Sequence, residues 1–95
     1  MRFEWDIGKN EKNKKKHGID FGEAVFIFTD KGVLSLYDEK HSETEERWIT
    51  IGQHPEGMIM VVCHTHKIEN GTEVIRLISA RKATKGETEQ YYENK

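Results

Sequence analysis

The 95-residue chain has little of what would staple or anchor a protein: one cysteine, one proline and no long apolar run. The single Cys63 excludes an intramolecular disulfide framework and suits a reducing compartment. A bilayer-spanning helix needs about 20 apolar residues, and no stretch approaches that. Met1 to Asn10 lacks the apolar stretch of a signal peptide. A soluble, cytoplasmic chain with no membrane partner is therefore expected, folded as a single domain over residues 1–95. There is no internal repeat, no linker, no Gly-rich phosphate loop, no nucleophile elbow and no dinucleotide fingerprint. Charge of one sign is lacking too: 15 Lys+Arg stand against 17 Asp+Glu, a net charge of −2. Taken alone, that balance disfavours a nucleic-acid partner, because phosphate binding usually leaves a basic footprint.

What is present is 35% hydrophobic and 34% charged residues, enough for one core inside a polar shell. Phe3 and Trp5 alternate with Arg2 and Glu4, a short strand pattern. Asp6 caps an exposed helix from Ile7 to His17 that Gly18 stops. Asp20 and Glu23 form an Asp variant of the capping box at the start of a second helix. Its core stripe is Phe21, Ala24, Val25 and Phe28, and Asp30, Lys31 and Gly32 end it. The period then changes to two. Val33 to Tyr37, Arg47 to Gln53, Met58 to His66 and Val74 to Arg81 read as strands, the third central because it is the most apolar. Between them lie an acidic loop from Asp38 to Glu46, a turn at His54 to Gly57 and an Asn70-Gly71 hairpin signal. Thr84 and Glu87 fit a capping box for a last helix ending near Tyr92. The expected class is α+β: a short N-terminal strand, two helices, an antiparallel meander of about four strands and a C-terminal helix.

The net charge hides strong patterning. Lys9 to Lys16 holds five Lys and one Glu, and Val74 to Gly86 holds Arg76, Arg81, Lys82 and Lys85 with no acid. Asp38 to Glu46 holds five carboxylates and one Lys. If the first helix packs near the last strand, the two basic stretches share a phosphate-attracting face. The plain alternative is that the lysines keep a helix soluble. Arg76, amid Val74, Ile75, Leu77 and Ile78, must be paired or face a cleft. Arg76 and Arg81 are five apart, so ideal alternation puts them on opposite faces unless a bulge re-aims Arg81. Either, or Arg47, could instead pair with a carboxylate of the acidic loop. His64 and His66 point the same way as Met60 and Val62; a neutral imidazole there suits acid–base chemistry. The pair could also hold zinc with Cys63, His54 or His41, but Cys63 points to the opposite face, and the more ordinary reading is a strand end reaching solvent. A buried, inert thiol is the expectation for Cys63, and core packing for one of Tyr91 and Tyr92.

Several segments, in order, resemble the BrnT toxins. They are Phe3-Glu4-Trp5-Asp6, Lys9, Asn13, Lys16-His17-Gly18-Ile19, then Phe21, Ala24 and Phe28. Arg47 with Ile49 and Gly52, His64-Thr65, and Arg76-Leu77-Ile78-Ser79-Ala80-Arg81-Lys82-Ala83 with Glu87 and Tyr91 continue the likeness nearly end to end. The resemblance implies the toxin half of a bacterial type II toxin–antitoxin pair. It further implies a RelE-like ribonuclease fold and RNA cleavage without a metal or other cofactor. Translation and growth would be inhibited. The partner it implies is a BrnA-type antitoxin, a ribbon-helix-helix protein through which operator DNA is reached. Arg47 and Arg81 are the firmest active-site matches, with Arg76 next. These three are assigned to charge stabilisation, and His64 to the base or acid. Lys14 above all, with His17 and Lys82, is assigned to RNA contacts. The other class of function open to the chain is a non-catalytic partner-binding module that acts as a co-repressor or assembly subunit. Arginines beside apolar strands favour the enzyme, and the lack of an unambiguous base favours the module.

Overall fold

The computed structural model describes residues 1–94. Its elements are β1 (Arg2–Glu4), α1 (Ile7–His17), α2 (Phe21–Ala24), a 3-10 turn (Val25–Thr29), β2 (Leu34–Tyr37), a second 3-10 turn (Glu39–His41), β3 (Arg47–Gln53), β4 (Ile59–Thr65), β5 (Lys67–Glu69), β6 (Thr72–Lys82) and α3 (Lys85–Glu93). The class is α+β with a mixed, six-stranded sheet in the order β1-β6-β4-β3-β2, and β5 pairs with β6. The antiparallel meander is β2-β3-β4-β6. The sheet is larger than the sequence suggested in two places. After Thr65 the chain bends at His66 and pairs again with the start of β6 as β5. β1 lies parallel to β6, with Phe3 opposite Ile75. The hairpin between β5 and β6 turns through Asn70 (φ 50°) and Gly71 (φ 78°), the left-handed pair that a tight two-residue connection demands.

Alternation along the strands gives the sheet two different faces. On one, Phe21, Ala24 and Ile27 pack onto Met60, Val62, Ile75, Leu77 and Ala80, with Phe3, Trp5 and Phe28 at the margin. On the other, Tyr91 of α3 packs onto Ile51, Ile59 and Val61.

The second helix departs from expectation. Only Phe21–Ala24 is α-helical, and Val25–Thr29 tightens into a 3-10 turn. The run Val-Phe-Ile-Phe-Thr is β-branched and aromatic, poor material for an α-helix. A three-residue spacing brings Phe21, Ala24 and Ile27 into the core, whereas Val25 and Phe28 are only partly buried. Gly52 of β3 admits this turn: a Cβ there would stand 3.0 Å from Ile27 Cβ and 3.1 Å from its carbonyl oxygen. The Asp20–Glu23 capping box is not made. The short Asp20 side chain accepts from the Gly22 amide (2.7 Å), and the Glu23 carboxylate accepts from His54 Nε2 (2.9 Å). The Thr84–Glu87 box is complete, with its two reciprocal bonds at 3.2 and 2.9 Å.

Helix α1 is docked by one polar side chain. β1 pairs with Val74 to Arg76, and further along β6 the amide of Asn13 takes the role of a strand. It accepts from the Ala80 N–H (3.0 Å) and donates to the Ala80 carbonyl (2.8 Å) and the Ile19 carbonyl (2.9 Å). Asn13 is buried, so these bonds satisfy groups that would otherwise be costly to bury. Among the described residues no helix is long and apolar enough to cross a membrane.

Candidate active site

The pairing of β4 with β6 slips by one residue. Cys63 stands opposite Ser79, but His64 stands opposite Leu77, so Ile78 is an extra residue in β6. Leu77 and Ala80, three apart, consequently both point into the helix-side core. Their neighbours Arg76 and Arg81 therefore share the other face, where ideal alternation would have separated them. Arg47 is on that face as well. Along β3, Gly52 meets Ile27 and Thr50 meets His64 on the helix side, which leaves Arg47, Ile49 and Ile51 on the opposite one.

Sharing a face does not bring the three guanidinium groups to one point. Arg76 Nη2 binds both oxygens of Glu45, at 2.9 and 2.8 Å, so the acidic loop does fold onto this face. Arg47 Nη2 lies 3.7 Å from the same carboxylate, which makes Arg47 and Arg76 neighbours. Arg81 is about 13 Å further along β6, four strand steps once the bulge is discounted. There it grips Glu87 with two bonds of 2.7 and 2.8 Å. That grip, aided by the Thr84 amide, holds the Glu87 carboxyl at about 2 and raises the Arg81 guanidinium further. Arg47 differs from both. Its Nε is buried and has no hydrogen-bond partner among the described residues. A buried donor left so costs about 1–3 kcal/mol, while about a third of the Arg47 side chain stays exposed.

Two hollows meet at the bulge. One, of about 180 Å³, lies between Arg47, Cys63, Ile78 and Ser79, with Asp38 and His41 on its wall. The other, of about 330 Å³, is lined by Lys9, Lys12, Lys16 and His17 of α1 and by the same Ile78 and Ser79. The basic helix and Arg47 thus flank one short stretch of β6.

The remaining candidates lie elsewhere. The His64 ring is on the helix side, edge-on to Phe28 with centroids 5.2 Å apart. Its Nδ1 donates to the Thr65 carbonyl (3.0 Å), and its Nε2 accepts from the Thr50 hydroxyl (2.7 Å). Burial pushes its pKa below the ordinary imidazole value, partly opposed by the Thr65 bond. His64 borders the Arg47 hollow, but its ring nitrogens are both engaged on the other face. Residue parity thus sends the His64 ring to the core side, the face opposite Arg47, Arg76 and Arg81. Lys14 points toward Glu11 (3.4 Å) and Asp20 (3.8 Å), away from the bulge. At about 100° per residue it is turned well off the Lys9-Lys12-Lys16 stripe. Lys82 lines a separate hollow with Gly57, Met58 and Thr88. His17 is where the sequence put it, beside the basic stripe. Tyr91 is the tyrosine that packs in the core; its hydroxyl donates to Asp30, and desolvation with that carboxylate pushes its pKa up to about 12. Cys63 is only partly buried.

From the sequence, an arginine could pair with a carboxylate of the acidic loop, and Glu45 is that carboxylate. His41 figures there only as a possible zinc ligand. Neither the Asp38–His41 pair nor the phase of the α1 lysines, which the spacing of Lys9, Lys12 and Lys16 signals, is read from it.

Comparison with known proteins adds one finding. The family model for the ribonuclease toxin, BrnT, of type II toxin–antitoxin systems matches residues 5–87, most of the chain. No curated protein matches it.

Proposed function

The chain belongs to the BrnT family of ribonuclease toxins, and from that premise we propose how it cleaves RNA. The scissile phosphate lies over Ile78 and Ser79, next to Arg47, and the cut is made without a metal by attack of the ribose 2′-hydroxyl. The observation that supports this reading is the meeting of the two hollows at the β6 bulge, one basic and one holding Arg47. Lys9, Lys12, Lys16 and His17 hold backbone phosphates on one side. Arg47 offers the exposed part of its guanidinium and its charge to the phosphorane, where negative charge develops. Arg76 is a positioning residue: through Glu45 it steadies Arg47. Arg81 lies further along the same face and is held by Glu87. His64 supports the strand from the core side. The fold is RelE-like, and the chain inhibits translation and growth. A BrnA-type ribbon-helix-helix antitoxin neutralises it and carries the pair to operator DNA.

The test is incubation of the purified chain with RNA in a chelator, with the new ends analysed. The expected products carry 2′,3′-cyclic phosphate and 5′-hydroxyl ends. Induction of the chain alone should arrest growth, and the partner should relieve the arrest. Harmless expression without cleavage would instead identify a non-catalytic binding module. Activity lost in chelator and restored by zinc would contradict the metal-free step.

A further inference from the structure

We infer that Asp38 and His41 are the proton-transfer pair of this site, with His41 Nε2 taking the proton of the attacking 2′-hydroxyl; this rests on the RNA-cleaving reading of the same face. Arginine and lysine side chains stay protonated near neutral pH and cannot accept that proton. The cations around the bulge therefore need a base beside them, and the wall of the Arg47 hollow supplies one.

His41 Nδ1 lies 2.9 Å from Asp38 Oδ2. A carboxylate acceptor fixes the hydrogen on Nδ1 and leaves the lone pair on Nε2. Asp38 is sheltered, with 18% of its side chain exposed, whereas the His41 side chain is 62% exposed. A sheltered carboxylate that orients an open imidazole is the arrangement that readies histidine for proton transfer. The turn carrying the pair is tied to Arg47 itself. The Asp38 amide donates to the Arg47 carbonyl (2.8 Å). The Ser42 hydroxyl donates to the Asp38 carbonyl (2.6 Å) and accepts from the Arg47 amide (3.0 Å). Base and charge stabiliser are thus held by one small set of bonds.

The groups that face His41 are few. Asp38 comes from its own turn, Arg47 from β3, and Cys63 with the margin of His64 from β4, while Trp48, Ile78 and Ser79 bring no charge. Glu39 and Lys40 flank it in sequence, and Lys9, Lys12, Lys16 and His17 stand beyond the bulge.

In the step, the 2′-oxygen bonds to phosphorus as its proton passes to His41 Nε2. The bond from phosphorus to the 5′-oxygen breaks, and that oxygen takes a proton from water. The imidazolium then returns its proton to the hydroxide so formed. The products are a 2′,3′-cyclic phosphate and a 5′-hydroxyl, with no oxidant or reductant.

The experiment is single-turnover cleavage of a defined RNA oligonucleotide as a function of pH, by wild type, His41→Gln, His41→Ala, Asp38→Asn and Arg47→Ala. His41→Gln should lose on the order of 10²–10⁴-fold in rate and keep its RNA affinity. Added imidazole should restore part of the His41→Ala rate. Asp38→Asn, a positioning change, should lose less in single-turnover rate and leave the RNA affinity unchanged. A wild-type rate and profile in His41→Gln, beside an inactive Arg47→Ala, would overturn the pair and leave the cleavage reading standing. An inactive wild type would overturn both.

Discussion

The two faces of the sheet carry similar residue types and use them in opposite ways. On the helix side the polar groups close on one another. Ser35 and Thr50 hydroxyls lie 2.8 Å apart, Thr50 donates to His64, and His64 donates to the Thr65 carbonyl. Burial then holds that imidazole toward its neutral form. On the opposite face the groups are charged and their pairing is uneven. Arg76 and Arg81 are gripped by carboxylates, but Arg47 has a buried Nε–H in need of an acceptor and His41 has an open Nε2. Binding and catalytic capacity thus follows what a residue's neighbours leave unsatisfied, rather than its type. The histidine of the most apolar strand has both ring nitrogens bonded, and the one in the acidic turn has one.

The largest expected effect separates the faces outright. Arg47→Ala should lower the cleavage rate on the order of 10²–10³-fold with little change in melting temperature. His64→Gln should cost about 1–3 kcal/mol of stability and leave the folded fraction active. Equal losses of rate in both folded proteins would erase the distinction. Next comes Asn13→Ala, which strips the Ala80 and Ile19 groups of their partner; about 2–3 kcal/mol should be lost in urea unfolding. A loss near zero would mean that α1 is not docked through this amide. The lysines sharpen the boundary of the basic face. Replacing Lys9, Lys12 and Lys16 together should reduce the salt slope of RNA binding by about 2, at about 0.7 per phosphate contact, and Lys14→Ala should leave it unchanged. The smallest effect is in acid. The Glu87 carboxyl sits at about 2 against an ordinary 4.5, so its contribution is present above pH 4.5 and lost as pH falls toward 2. Glu87→Gln should flatten that loss, worth on the order of 1 kcal/mol after solvent screening, in melting curves across that range.

Most local chemistry was legible in the sequence, the Asp20–Glu23 box excepted. The Asp6 cap, the Thr84–Glu87 box and the Asn70-Gly71 turn depend on neighbours within a few residues, and each forms. What depended on register was not legible. The extra residue at Ile78 exists only relative to β4, and it decides that Arg76 and Arg81 share a face. The parallel pairing of β1 spans about the whole chain and leaves no local mark. Glu45 was one of five acids in a loop until the fold set it against Arg76. His64 was placed from sequence alone in phase with Met60 and Val62, and both prove to be core residues. The net charge of −2 is a cancellation between the acidic loop with α3 and the basic stretches of α1 and β6. It therefore carried no information about the partner.

The most direct test of which face meets RNA is an NMR titration with an oligonucleotide whose 2′-O-methyl groups prevent cleavage, following histidine ring signals and backbone amides. If RNA lies over the β6 bulge, the His41 and His17 rings and the amides of Lys12, Lys16 and Ser79 should shift on binding, while the His64 and His66 rings and the Ser35 and Glu73 amides stay in place. Shifts concentrated at His64, His66 and Glu73, with His41 and Ser79 unmoved, would contradict it.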